Sequence, residues 1–335
     1  MKALRFYGMG DIKLEDIPLP GHVPDGYVRL KVLAAGVCGS DIHNLKTGQW
    51  ISKIPVTPGH EFCARITEIG SSVVGFSVGD RVVVDSRASC GACDYCISGA
   101  GNLCRKMGFV GEVCDGGFAE QSLQPIHRLL AVPDSVTDEI AALSEPLGVS
   151  LRVLTRLNAS PDAPVLIAGG GPIGGLAAIL LRELDRRSVY LIERNAARAR
   201  LLEEVCGVIP VACDSDAIRA AMGGKQPLFC IEATGNAQVM EQLIKSVGSG
   251  GRIALVGLTS GQMPLSTNEI VEREIELVGC SVFQDEQRKA IQLLERLSPA
   301  LHQVIAGPVS LDQILEVYQE SDRGASAKLK TIIRP

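Results

Sequence analysis

Two hydrophobic rhythms divide the chain. Up to about residue 148, short β-type runs such as "YVRLKVLAAGV", "ARITEIG" and "DRVVVDS" are separated by Gly-Asp, Pro-Gly and Gly-Gly turns, a pattern that predicts a mainly β domain. From about residue 149, strand-like runs ("PVLIAGGG", "SVYLIERN", "PLFCIEATG", "GRIALVGL") alternate with helix-like stretches such as "LAAILLREL" and "AARARLLEEV". Alternation of that kind predicts βαβ units around a parallel sheet. After "IELVGCSVF" the rhythm changes again, to helix-like "RKAIQLLERL" and "LDQILEVYQES" and a closing strand "KLKTIIR". The expected organisation is an α/β chain with a first domain over about 1–148, to which about 285–335 returns, and a second over about 149–284.

Composition narrows the class. At 335 residues the chain exceeds the usual size of a single core, and 36 glycines with only 4% aromatics favour small aliphatic packing and many tight turns. The net charge of −5 is spread along the chain without a Lys/Arg block that could follow phosphates, so nucleic acid is not expected as a partner. The opening "MKALRFYGMGDIKLED" has acidic residues where a signal peptide needs an apolar stretch. The longest charge-free apolar run, residues 165–181, is too short and too broken by Gly and Pro to suit a bilayer, and reads as strand, turn and helix. Eleven cysteines, an odd number, fit a reducing cytoplasm and point to metal ligation rather than a disulfide framework.

Four of those cysteines are clustered. Cys90, Cys93, Cys96 and Cys104 follow C-x2-C-x2-C-x7-C, which lets a short loop wrap a tetrahedral ion in sulfur. Zinc is the expected occupant; iron–sulfur clusters use other spacings, and no proline follows the last cysteine. Four thiolates leave no open coordination position, so this site is expected to hold a loop and do no chemistry. A second set is scattered: Cys38 in "GVCGSDIH", His60 and Glu61 in "PGHEF", and Glu145 in "SEPLGVSL". Singly, each is more often a packing or satisfied group than a functional one. Together they offer S, N and O donors with room for water, as catalytic zinc requires.

The run "VLIAGGGPIGG" places Gly169, Gly171 and Gly174 in G-x-G-x-x-G, with Pro172 and Ile173 between the last two, after a β-type run and at the start of a helix-like one. That is the order a dinucleotide pyrophosphate site needs. The next strand ends at Glu193, where a carboxylate can accept from both ribose hydroxyls and repel a 2′-phosphate, so NAD is expected over NADP. Arg194 and Arg198 lie close enough to temper that preference, unless they are only a solvated helix start.

In these stretches, and in "TPGHEF", "GNLC", "VVGFSVGDRVVV", "DGGFAE" and "EPLGVSL", the chain resembles the zinc-dependent medium-chain alcohol dehydrogenase family, polyol (sorbitol-type) branch, over essentially its whole length. The resemblance implies a GroES-like catalytic domain and a Rossmann nucleotide domain, two zinc ions per chain, and a homotetramer or homodimer. It implies that Cys38 and His60 ligate catalytic zinc, with Glu61 or Glu145 completing the sphere directly or through water. It also implies that Asp41 orients His60, Ser40 relays the substrate proton, and His43 exchanges it with solvent. The reaction implied moves hydride between a secondary alcohol and NAD, interconverting alcohol and ketone, with a polyol, sugar or sugar-derived substrate. Two departures bear on that substrate: Arg152 stands where the branch usually has His, and Phe283 and Gln284 where it has an Arg–Tyr pair. Arg152 is expected either to face solvent or to meet an anionic group. Trp50 is expected either to line the pocket or to pack at an interface. The rivals are a threonine-type amino alcohol dehydrogenase, a polyol phosphate or sugar acid dehydrogenase and, more remotely, a non-catalytic NAD-binding protein.

Overall fold

The structure is a computed structural model that describes residues 1–185, 187–259, 262, 265–324 and 326–335. The chain forms two compact units, one of Met1–Glu145, Gln287–Ser326 and Lys330–Pro335, the other of Pro146–Glu286 and Ala327–Leu329. In chain order the strands are β1 (Lys2–Gly8), β2 (Asp11–Asp16), β3 (Tyr27–Gly36), β4 (Glu61–Ile69), β5 (Arg81–Val84), β6 (Gln121–Pro125), β7 (Leu129–Ala131), β8 (Val165–Ala168), β9 (Val189–Ile192), β10 (Ile209–Pro210), β11 (Phe229–Glu232), β12 (Arg252–Leu255), β13 (Glu276–Gly279), β14 (Ile305–Ser310) and β15 (Lys330–Arg334).

The first unit is mainly β. Its large sheet runs β14-β15-β3-β4-β5-β7, with β6 also paired to β3, and β1 and β2 form a separate antiparallel hairpin. Along β3, buried and more exposed positions alternate until the strand sinks entirely at Ala34–Gly36, as expected where only one face meets a core. That core gathers Leu30, Phe62, Ile66, Val82, Phe118 and Ile314 among others. The C-terminal strand β15 pairs with β3 at Ile332–Gly36 and Ile333–Ala35. That register lays Lys330 near the start of the 61–69 strand, where site residues lie.

The second unit holds a six-stranded sheet in the order β10-β9-β8-β11-β12-β13, parallel at every pair. Renumbered from its first strand this is 3-2-1-4-5-6, the doubly wound nucleotide-binding order, with its topological switch beside β8. All four residues of β8 are buried, which is why that strand reads as an unbroken apolar run and not an alternating one. The helix Pro172–Asp185 starts on a proline, whose missing N–H costs nothing at a first helical position.

Two elements depart from the sequence expectation. β14 lies between two helices in a stretch containing Gly307 and Pro308, residues that weaken any strand signal. The strand expected over "IELVGCSVF" ends at Gly279, so Cys280–Phe283 lies outside the sheet.

Candidate active site

The site is assembled from three turns. Cys38 caps the helix Gly39–Thr47, and its backbone N–H donates to Asp41 Oδ2 at 2.8 Å. His60 and Glu61 sit where a turn enters β4. Gly59 adopts a positive φ of 95°, and a Cβ there would meet the Phe118 ring at 2.9 Å. Behind it, a Cβ on Gly116 would lie 2.1 Å from the Gly59 carbonyl oxygen, so "PGHEF" and "DGGFAE" are loops nested against each other. The ligand atoms of Cys38, His60 and Glu61 all fall within 4.8 Å of one another.

Charge around this trio is arranged for a cation. His60 Nδ1 faces Asp41 Oδ1 at 3.7 Å. Burial opposes a charge on the imidazole, but Asp41, Cys38 and Glu145 outweigh it and hold the His60 pKa well above its usual value. Burial raises Asp41 as well. Glu145 is pushed up to about 7, first by burial, against the pull of His60 and with the repulsion of Glu61. Its Oε1 accepts from Ser86 Oγ at 2.8 Å. Glu145 therefore belongs to the same electrostatic cluster, but it is not among the three residues whose ligand atoms converge.

Glu61 has a partner that nothing in its motif suggests. Lys330 Nζ lies 2.5 Å from Glu61 Oε1, both side chains are 1% exposed, and the ammonium also donates to the Val37 carbonyl at 3.0 Å. Burial disfavours the Lys330 charge, yet Glu61, Cys38 and Glu145 raise its pKa overall. The other Glu61 oxygen, Oε2, is buried without a hydrogen-bond partner among the described residues. A thiol, an imidazole and a carboxylate with ligand atoms within 4.8 Å of one another form a donor set that fits zinc, and fewer than four protein ligands leave a position open.

The cysteine loop is the second metal-shaped cluster among the described residues. Cys93 Sγ lies 3.5 Å from Cys96 Sγ and 3.9 Å from Cys104 Sγ. Four sulfurs each about 2.3 Å from a central zinc would be about 3.8 Å apart, so these separations already match a tetrahedral edge. Backbone N–H groups of Cys90 and Lys106 donate to Cys104 Sγ, both at 3.3 Å. Those of Arg105 first and Cys96 second bring Cys93 down to about 6, which favours the thiolate.

In the second unit, Gly169 has a φ of 99° and a Cβ there would crowd Thr234 at 2.9 Å, while one on Gly174 would lie 1.9 Å from the Gly169 carbonyl oxygen. Gly171 has open space around its Cα, as a loop that must admit a pyrophosphate requires. A cavity of about 590 Å³ extends from these glycines past Glu193, Arg194, Arg198 and Thr234. Ser150 Oγ donates to the Ile173 carbonyl at 3.0 Å and steadies the start of the loop's helix. Glu193 reaches back: Oε2 accepts from Gly170 N–H at 2.8 Å, Oε1 accepts from Asn195 N–H at 2.7 Å, and Arg198 Nη1 stands 3.5 Å away.

Comparison with known proteins agrees in both halves. Residues 24–134 match the alcohol dehydrogenase GroES-like domain and residues 172–296 the zinc-binding dehydrogenase family. The L-galactonate-5-dehydrogenase of Escherichia coli K12 is 32% identical over 271 residues, covering 80% of this chain and 78% of that protein. The chain belongs to the zinc-dependent medium-chain alcohol dehydrogenase family. Within it the likeness is to the polyol branch: the sorbitol dehydrogenase of Bacillus subtilis strain 168 is 28% identical over 345 residues, covering 100% of this chain and 97% of that protein. A zinc-binding dehydrogenase of Sinorhizobium meliloti 1021, crystallised with NADP, is 31% identical with a TM-score of 0.90, covering 100% of this chain and 99% of that one. The protein is thus an oxidoreductase acting on alcohol groups, with a zinc and NAD(P) chemistry.

The remaining expected residues fall unevenly in this dehydrogenase. Ser40 lies in the first turn of the Gly39–Thr47 helix, and His43, one turn on, has Nε2 at 2.8 Å from Gln49 Oε1 with its ring 4.7 Å from that of Trp50. Arg152 neither faces solvent nor stands free for an anion. Its side chain is 13% exposed, and Nη1 donates to Gln284 Oε1 at 2.8 Å and Glu286 Oε1 at 3.2 Å. An arginine already neutralised by a carboxylate is a poor receptor for a second one. Sequence reasoning missed Lys330, whose only signal is a lysine inside a closing apolar run, and Ser86, which carries no signal.

No helix among the described residues is long and apolar enough to cross a membrane.

Proposed function

We propose that the dehydrogenase interconverts a secondary alcohol of a polyol, sugar or sugar-derived compound with the corresponding ketone, using NAD in preference to NADP. The observation that carries this reading is the convergence of Cys38, His60 and Glu61 within 4.8 Å beside the buried Asp41 and Glu145. Cys38, His60 and a carboxylate, Glu61 directly or Glu145 through water, would hold zinc there, and a zinc ion so held supplies the Lewis acidity that makes an alcohol hydroxyl a better acid. Asp41 orients the His60 imidazole through its Nδ1 edge. Ser40 receives the substrate proton and His43, steadied by Gln49 and Trp50, passes it to solvent. The alcohol carbon gives up hydride to the nicotinamide while the oxygen loses its proton, so that alcohol and NAD⁺ yield ketone, NADH and H⁺.

The cysteine loop would hold a second zinc with no open position, in a role confined to folding or assembly. Gly169, Gly171, Pro172, Ile173 and Gly174 would cradle the pyrophosphate. Glu193 would face the ribose, with Arg198 softening its repulsion of a 2′-phosphate enough to leave NADP tolerated. The engagement of Arg152 by Glu286 removes the ground for an anionic substrate at that position and favours neutral hydroxyls over phosphates. Among the described residues β13 is the last strand of its sheet and has no strand paired to its outer edge, which suits assembly of a homodimer or homotetramer. A cytoplasmic location accords with eleven cysteines and no disulfide.

The reading is tested by metal analysis and a substrate panel of polyols, sugar acids, polyol phosphates and L-threonine, each with NAD and with NADP. Two zinc ions per chain are expected, with turnover of polyols. Turnover of threonine alone would sink the polyol reading, and full activity in Cys38→Ser would sink the assignment of the centre.

A further inference from the structure

One buried carboxylate of the first unit has no part in that chemistry. Glu112 is 5% exposed and sits on a tight turn in which its own N–H donates to the Phe109 carbonyl at 3.0 Å. The turn is seated on the loop that leads into His60, since a Cβ on Gly111 would lie 2.8 Å from the Gly59 nitrogen. Glu112 Oε1 accepts from Asn44 Nδ2 at 2.9 Å, and Asn44, on the Gly39–Thr47 helix, is as deeply buried. A charge taken out of water needs such a partner, but the partner here also reaches further.

Asn44 Oδ1 accepts from the Trp50 backbone N–H at 3.2 Å, so one rigid amide joins the carboxylate to the segment that follows the helix. The next two residues close the connection: the N–H groups of Ser52 and Lys53 donate to the Glu112 carbonyl at 3.2 and 3.3 Å. The segment is thus tied to residue 112 at three points, one of them through Asn44. What it carries is the surroundings of His43. Gln49 Oε1 lies 2.8 Å from His43 Nε2, and the Trp50 ring stands 4.7 Å from the imidazole. An oxygen at Nε2 requires that nitrogen to hold the proton, which leaves Nδ1 with the lone pair that can take another.

We propose that Asn44 and Glu112 are positioning residues for proton exit, which together hold the 49–50 segment against His43 and keep its imidazole in the tautomer that accepts at Nδ1. This rests on the reading of His43 as the group that passes the substrate proton to solvent. A proton taken at Nδ1 gives the imidazolium, which returns one to water and regains the neutral ring. Without the Asn44 link, Gln49 and Trp50 are free to leave the ring, and both its direction and its tautomer are lost.

The test uses the full-length zinc-loaded protein and its single tryptophan, Trp50, whose fluorescence in the absence of coenzyme reports this segment alone. Quenching by iodide should steepen in Asn44→Ala and in Glu112→Leu, and return toward wild type in Glu112→Gln, which keeps an acceptor for Asn44 Nδ2. With the polyol that wild type oxidises fastest, Asn44→Ala and Glu112→Leu should lose about tenfold in kcat with the KM for NAD unchanged. Added imidazole should restore most of that loss, as it should in His43→Ala, whereas a base in solution would not cure a general packing defect. With His43→Ala impaired, wild-type quenching or wild-type kcat in both Asn44→Ala and Glu112→Leu would overturn the positioning role, as would a loss that imidazole leaves in place. A His43→Ala enzyme with full kcat and no response to imidazole would overturn instead the relay reading beneath it.

Discussion

The two metal-shaped clusters of this dehydrogenase are built in opposite ways. The loop of Cys90, Cys93, Cys96 and Cys104 draws every donor from fifteen consecutive positions, lies largely at the surface and supports its sulfurs with backbone N–H groups of its own loop. The centre of Cys38, His60 and Glu61 is sunk in the first unit, mixes three donor types and takes its counter-charge from Lys330, 269 residues beyond Glu61. On the proposed reading the first arrangement is complete in itself, and would fix a loop and do no chemistry. The second is incomplete, and incompleteness is what permits exchange with a substrate.

The largest expected effect would separate the two clusters outright. Cys38→Ser should lose activity by at least about a hundredfold, the equivalent of a few kcal/mol of barrier, while keeping the loop metal and a cooperative unfolding transition. Cys93→Ser should do the reverse. It should lose the loop metal and several degrees of thermal midpoint, at about 2–4 °C per kcal/mol for units of this size, while the turnover per remaining metal changes little. Equal losses of activity in the two variants would erase the distinction between a structural and a reactive site.

Lys330→Met sharpens the contrast from the side of charge. It removes the ammonium partner of a buried carboxylate, which typically costs about 3–5 kcal/mol, readable by denaturant unfolding. Glu61→Gln combined with Lys330→Met should recover much of that loss. If the single substitution costs under about 1 kcal/mol, the pair is not the buried counter-charge described here. The smallest effect concerns the coenzyme. Glu193→Ala should raise the ratio of kcat/KM for NADP over NAD by about tenfold, because the carboxylate that opposes a 2′-phosphate is gone while Arg194 and Arg198 remain. No change in that ratio would mean that Glu193 serves only the Gly170 and Asn195 N–H groups it already accepts from.

Legibility followed sequence separation. The βαβ alternation, the buried run at Val165–Ala168 and the glycine spacing that follows it could all be read directly, since parallel strands and a phosphate turn are local constructions. The hairpin Lys2–Asp16 was not anticipated, and its second strand alternates only between exposed and half-buried positions, with no apolar face to announce it. Arg152 shows the same limit at a single residue. Its local context offered solvent or an anion, and its partner Glu286 lies 134 residues away.

What the sequence determined by itself was the inventory: an S₄ loop, a scattered S, N and O set, a nucleotide turn and the α/β class. Each rests on spacing within one or two turns of chain, where covalent geometry limits what side chains can reach. Only the tertiary structure decided the pairing of Glu61 with Lys330 and the closure of Arg152 onto Glu286. Those depend on which distant segments are brought together out of water. Burial makes a pairing, or the lack of one, consequential, and burial is a property of the packed chain rather than of any stretch within it.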